Sequence, residues 1–210
     1  PLPPSDFIPI AENMGLIEAM TGWVLRRACE VAAQWPEHVR VAINISPASL
    51  KSPELPGNVI AALLETGVSA RRLELEVTES IFLDDSGQTN AILRELQRIG
   101  LRLALDDFGT GFASLTHLLK LPVDIIKIDQ CFVRDMETDP DDAAIVRAVL
   151  NLAHSLGIRT VAEGVENAQQ LAYLRAGGCH YGQGYLFGAA MPADGVEQLL
   201  ISPEGISRQA

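Results

Sequence analysis

The sequence predicts an α/β fold, a (β/α) barrel of parallel strands joined by helical crossovers. Two observations lead there. Short apolar, β-branched runs alternate with amphipathic stretches of helical period in units of about 30 residues, the pattern of parallel strands and their crossovers. An unexpected polar group also stands at or near the C-terminal end of each run. The periodicity alone fits a doubly wound open sheet equally well. The polar ends decide for the barrel, because a barrel gathers strand ends on one face whereas an open sheet spreads them along an edge.

Taken in order, a helix over Leu16–Trp35 precedes a strand over Val39–Ile45. A helix over Pro56–Glu65 leads to the strand Leu73–Val77, and Gln88–Ile99 leads to Leu101–Leu105. A short amphipathic segment, Ala113–Leu119, comes before Ile125–Ile128. Asp142–Leu156 precedes Thr160–Ala162, and Ala168–Ala176 precedes the weakest strand, around Tyr185–Phe187. Gly195–Ile201 closes the pattern as a helix. Gly67, Gly100, Gly157 and Gly177 stand just past the last apolar turn of four helices, where C-terminal caps favour glycine. The polar groups at the strand ends are Asn44, Glu76, the pair Asp106 and Asp107, Lys127, Glu163 and Gln183.

Composition narrows the function. The chain has 210 residues, 48% of them hydrophobic, enough to bury a sizeable core. No apolar run approaches the ~18 residues of a membrane span, and no signal peptide is visible. The opening Pro1-Leu2-Pro3-Pro4 is abrupt, as in a segment of something longer. Sixteen basic against 27 acidic residues give a net charge of −11, which argues against polymeric nucleic acid as a partner. A small anionic ligand stays possible, since bound metal inverts the local field. Cys29, Cys131 and Cys179 are odd in number and unclustered, as expected of reduced thiols in a cytoplasmic setting. His38, His117, His154 and His180 show no zinc-ligand spacing.

The stretch Asp106-Asp107-Phe108-Gly109-Thr110-Gly111 carries the most chemistry. Adjacent carboxylates at the end of a buried strand repel one another and are costly to desolvate without a partner. A solvated Asp-Asp turn is the ordinary reading of an isolated pair. Here polar groups recur strand after strand, and a divalent metal between the carboxylates is the natural partner. Asp107-Phe108-Gly109 matches a kinase triplet, but no Gly-rich nucleotide loop or His-Arg-Asp loop accompanies it. Gly182-Gln183-Gly184 with Gly188 misses the spacing of a dinucleotide fingerprint.

Seven motifs in order, Phe7-Ile8-Pro9-Ile10-Ala11-Glu12, Asn44-Ile45-Ser46, Glu76-Val77-Thr78-Glu79, Asp106–Gly111, Lys127-Ile128-Asp129, Glu163-Gly164-Val165-Glu166 and Gln183-Gly184, together resemble the EAL-type cyclic di-GMP phosphodiesterases of bacteria. The resemblance implies a TIM-like barrel with one antiparallel strand near the N-terminus. It also implies hydrolysis of one phosphodiester of cyclic di-GMP to linear pGpG with Mg²⁺ or Mn²⁺. Asn44, Glu76 and Asp106 are then ligands of one ion. Asp106 bridges to a second ion that Asp107 and Glu163 help to hold. Calcium is expected to inhibit, since it prefers more ligands at longer distances. Lys127 orients the attacking water or offsets charge in the transition state, and Lys127, Glu163 and Asp107 form the catalytic set. Glu79 anchors the loop Phe108–Leu115, in which Phe112-Ala113 stands where many members have Tyr-Ser. Glu166 and Gln183 act on the substrate side or support the ligands from behind.

The family's Glu-Ala-Leu motif is expected upstream of Phe7, so the first two strands of the barrel are expected to be missing. The domain is read over residues 1–203 with a tail over 204–210. The resemblance further implies a homodimer and flanking sensory or GGDEF-type domains. A catalytically inactive cyclic di-GMP receptor is the alternative; such relatives usually lose the Asp pair, the lysine or the Glu163 equivalent, all present here.

Overall fold

The computed structural model describes residues 2–83, 87–111 and 118–201. The chain divides into two compact units, Pro1–Leu103 and Ala104–Ala210.

In the first unit, α1 (Pro4–Asn13) buries none of its residues, and Pro9 lies inside it. The helix α2 (Ile17–Ala32) buries Ile17, Thr21, Leu25, Cys29 and Ala32. That three-to-four spacing is a single apolar stripe, and α2 packs on α3 (Leu55–Thr66), which buries Leu55, Pro56, Val59 and Ala62. Strands β1 (Val41–Asn44) and β2 (Leu73–Thr78) pair in parallel, in unbroken register from Val41 opposite Leu73 to Asn44 opposite Glu76. The helix α4 (Gln88–Ile99) buries Thr89, Ile92, Leu93 and Leu96. Short 3-10 turns at Ser49–Lys51, Ala70–Arg72 and Glu79–Leu83 fill the connections.

Strand β3 (Arg102–Phe108) crosses the division between the units. In the second unit it pairs with β4 (Ile125–Ile128), β4 with β5 (Arg159–Ala162), and β5 with β6 (Tyr181–Gly182), always in parallel. All four residues of β4 are buried. The helices of this unit are α5 (Gln130–Asp135), α6 (Pro140–Leu156), α7 (Ala168–Ala176) and α8 (Ala193–Ile201). Asp139 caps α6 by accepting from the Asp141 N–H, and Asn167 with Gln170 closes a reciprocal capping box on α7.

The alternation of strand and helix expected from periodicity is the observed order, with differences at the last strand and in two further helices. The last strand is Tyr181–Gly182 rather than a run around Tyr185–Phe187, because the ladder partner Val161–Ala162 meets the chain there. Two helices, α1 and α5, were not expected: Pro9 breaks the pattern of the first, and the second has only six residues. Gly177 caps α7 as expected, in right-handed conformation, and Gly178 after it is left-handed. Every ladder within either unit is parallel, so the antiparallel strand implied by the resemblance is not among them. The expected segment Ala113–Leu119 falls outside the described residues as far as His117, and the tail 204–210 lies wholly outside them.

Candidate active site

A regular strand sends successive side chains to opposite faces, so Asp106 and Asp107 could not serve one site from a straight β3. The register breaks at this point. Leu105 faces Ile126 and Phe108 faces Ile128, so two aspartates span the place of one residue, Lys127. This β-bulge re-aims the strand end. Asp107 takes φ 55°, a left-handed conformation found at no other non-glycine residue among those described. A short polar side chain tolerates that region better than a branched one. Its N–H donates to Oδ1 of Asp106 at 3.1 Å.

Glu163 follows β5, and its N–H donates to the Ile128 carbonyl at 3.1 Å, which ties it to the end of β4. Gly164 comes next with φ 66°, where a Cβ would stand 2.6 Å from that of Gln130. Only glycine fits that turn. One carboxylate oxygen each from Asp106, Asp107 and Glu163 then lies within 4.8 Å of the others.

Lys127 is buried, 3% exposed. Its Nζ stands 2.8 Å from Oδ1 of Asp106 and 2.7 Å from Oε1 of Glu163. Such a buried cation needs its carboxylates, and removing either side leaves an uncompensated charge. Burial, the charge of Asp106 and a hydrogen bond with Asp129 push the Asp107 carboxyl up to about 6. Burial works upward on Asp129 as well, but the Cys131 side chain and N–H, with Asp107, outweigh it and lower that carboxyl. The Cys131 N–H donates to Oδ1 of Asp129 at 2.7 Å.

Asp129 stands in the motif Lys127-Ile128-Asp129, but sequence reasoning gave it no role in the site. It reads as the N-cap of α5, and it is that cap; the available signal was its place two residues beyond Lys127. Three carboxylates, Asp106, Asp107 and Glu163, come together here with Asp129 hydrogen-bonded to Asp107, and Lys127 pairs with Asp106 and Glu163 alone. The surplus negative charge and the oxygen-only donors fit a hard divalent cation of the Mg²⁺ or Mn²⁺ class.

The other predicted residues are placed as follows. Asn44, exposed at the end of β1, is the register partner of the buried Glu76 on β2. Glu79 is buried where the 3-10 turn Glu79–Leu83 begins. The loop it was expected to anchor lies outside the described residues from Phe112 onward. Gln183 is exposed and extends the β5–β6 ladder, its N–H donating to Ala162 and its carbonyl accepting from Val165. A Cβ on the next residue, Gly184, would collide with the backbone N and O of Val165. Glu166 is exposed, and its N–H donates to Oε1 of Gln170 at 2.7 Å, so its backbone belongs to the cap of α7.

The family model of the EAL domain matches residues 1–190. The chain belongs to the EAL domain family. It is 50% identical over 193 residues to an uncharacterized signaling protein of Caulobacter vibrioides, covering 92% of this chain and 24% of that protein. It is 40% identical over 203 residues to the cyclic di-GMP phosphodiesterase NbdA of Pseudomonas aeruginosa, covering 95% of this chain and 26% of that one. Among solved structures, the PaMucR phosphodiesterase in complex with c-di-GMP superposes with TM-score 0.88 at 38% identity, over 93% of this chain and 81% of that one. This EAL domain therefore has the α/β, TIM-like fold of its family, and it spans about a quarter of the length of the curated relatives it matches. No helix among the described residues is long and apolar enough to cross a membrane.

Proposed function

We propose that this EAL domain hydrolyses one phosphodiester of cyclic di-GMP to give linear pGpG. The observation that carries the reading is the buried Lys127 held between Asp106 and Glu163, with Asp107 turned into the same place by the bulge. The relatives NbdA and PaMucR, named as phosphodiesterases, support the substrate class.

Two divalent ions, Mg²⁺ or Mn²⁺, would lower the pKa of a shared water and stabilise the attacking and leaving oxygens in line. Asn44, Glu76 and Asp106 are the ligands proposed for one ion, and Asp106, Asp107 and Glu163 for the other. Asp107, whose carboxyl is pushed up to about 6, would hold an ion as its deprotonated carboxylate. Lys127 holds Asp106 and Glu163 in place and offsets negative charge on the phosphorane-like transition state. Gln183 and Glu166 contact the substrate, and Glu79 anchors the loop after the Asp pair. Calcium inhibits. The domain works as a cytoplasmic homodimer beside sensory or GGDEF-type domains, and it does not bind polymeric nucleic acid.

The test is product analysis with the full-length protein, Mn²⁺ and cyclic di-GMP. Linear pGpG is expected. A protein that binds cyclic di-GMP but releases no pGpG overturns the proposal and leaves an inactive receptor.

A further inference from the structure

We propose that the cavity where β1 and β2 begin is a second ligand site, one that takes a phosphate group, either free or carried by a nucleotide. The cavity holds about 530 Å³, within the range of small-molecule sites. Its walls are the two segments that lead from α2 into β1 and from α3 into β2. Asn44 and Glu76 stand at the opposite ends of these same two strands, so this is not the site described above.

Arg72 makes the cavity more than a solvated groove. It is buried, 9% exposed, and it lines the space. Its Nε donates to the Val39 carbonyl at 2.9 Å, and its Nη2 donates to the carbonyls of Ala32 at 2.7 Å and Trp35 at 3.3 Å. Those bonds fix the guanidinium fork and leave Nη1 as the donor atom available to a ligand. Closing the end of α2 accounts for Nη2, and the Val39 carbonyl just before β1 for Nε, but neither accounts for a cavity beside them. Arg40 and Arg71 stand exposed on the same walls, and the one carboxylate there is Glu37. Three guanidinium groups against one carboxylate leave two positive charges on these walls, in a chain whose formal net charge is −11. Guanidinium forks match phosphate oxygens two at a time. Half-buried Trp35 also lines the cavity, and an indole there suits the flat group of a nucleotide.

The experiment is isothermal titration of the full chain in EDTA, which suppresses cation-dependent binding, with inorganic phosphate, GMP and guanosine as probes. Phosphate and GMP are expected to bind, with guanosine weaker than GMP by about tenfold or more. The double variant Arg40→Glu, Arg71→Glu should weaken both anions by about tenfold or more. Both positions are exposed, and circular dichroism checks that the fold is kept. Tighter binding of GMP than of phosphate, with the difference lost in Trp35→Leu, assigns the site to a nucleotide. Equal binding assigns it to the free anion. Asp106→Asn should leave all of these affinities unchanged. Absence of binding at about 10 mM of every probe, affinity unmoved by the double variant, or affinity lost in Asp106→Asn would each overturn the proposal.

Discussion

The β1–β2 ladder and the β3–β4 ladder end in polar residues by different means. The first keeps its register to the last pair, Asn44 opposite Glu76, so each strand delivers one polar side chain at its end. The second gives up its register between Leu105 and Phe108, so β3 delivers two carboxylates where β4 delivers one lysine. A regular ladder can present a ligand, whereas a bulge can concentrate charge. Concentrated charge needs a counter-charge, and Lys127 is buried against Asp106 and Glu163 at 2.8 and 2.7 Å to supply it.

The largest effect that separates the two ladders is on hydrolysis. Asp106→Asn removes the charge proposed to bridge two ions and also the partner of Lys127, so activity with excess Mg²⁺ or Mn²⁺ should be lost while the fold survives. Glu76→Gln removes one proposed ligand from the regular ladder and should be less severe, its activity recovering as metal is raised. Rates for Asp106→Asn within about tenfold of the parent would sink the metal assignment. Equal loss in both variants, unrelieved by metal, would erase the contrast between the ladders.

Lys127→Ala tests the counter-charge, with two readouts that part company. A group acting on the transition state should cost two or more decades in kcat while cyclic di-GMP still binds. In EDTA the same variant leaves buried Asp106 and half-buried Glu163 without their ammonium partner, which should lower stability by about 3 kcal/mol in a denaturant titration. A variant that is destabilised yet hydrolyses at the parental rate would make Lys127 a structural residue.

Most of this organisation was legible in the chain for physical reasons, and the gaps are physical too. Gln88–Ile99, Ala168–Ala176 and Ile125–Ile128 were read with their observed bounds, because a helical stripe, a polar cap and a β-branched run are local signals. The bulge is not local: nothing in Asp106-Asp107 says that Phe108 will pair with Ile128. Asp129 stands in the motif Lys127-Ile128-Asp129 with no role legible from the sequence, because its contact with Asp107 depends on how β3 and β4 pair. Lys127 showed itself as a charge between isoleucines, but its two partners come from β3 and from the residue after β5.

A smaller effect concerns partners. The acidic balance predicts that cyclic di-GMP binds in a metal-dependent way while random single-stranded DNA does not. Fluorescence anisotropy with both ligands decides it, and comparable affinity for the two at physiological salt would contradict the reading.

The smallest effect is the pH dependence of the metal-free domain. Asp107 is raised from 3.8 to about 6, so the folded state holds its proton more tightly than the unfolded state does. Its contribution is therefore complete below the unfolded value and lost as pH rises through about 6. Asp129 is lowered, so its contribution is present above its unfolded value of 3.8 and falls away only in more acid solution. The two effects occupy different windows, and between pH 4 and 6 that of Asp107 governs. In EDTA the melting temperature should fall across that interval more steeply for the parent than for Asp107→Asn, since asparagine tolerates the left-handed backbone but carries no titrating proton. With Mn²⁺ present the order should reverse, because ligation favours the deprotonated carboxylate that only the parent has. Parallel pH profiles for the two proteins in EDTA would mean that the bulge turns Asp107 outward without loading it, and the contrast between the ladders would then be geometric alone.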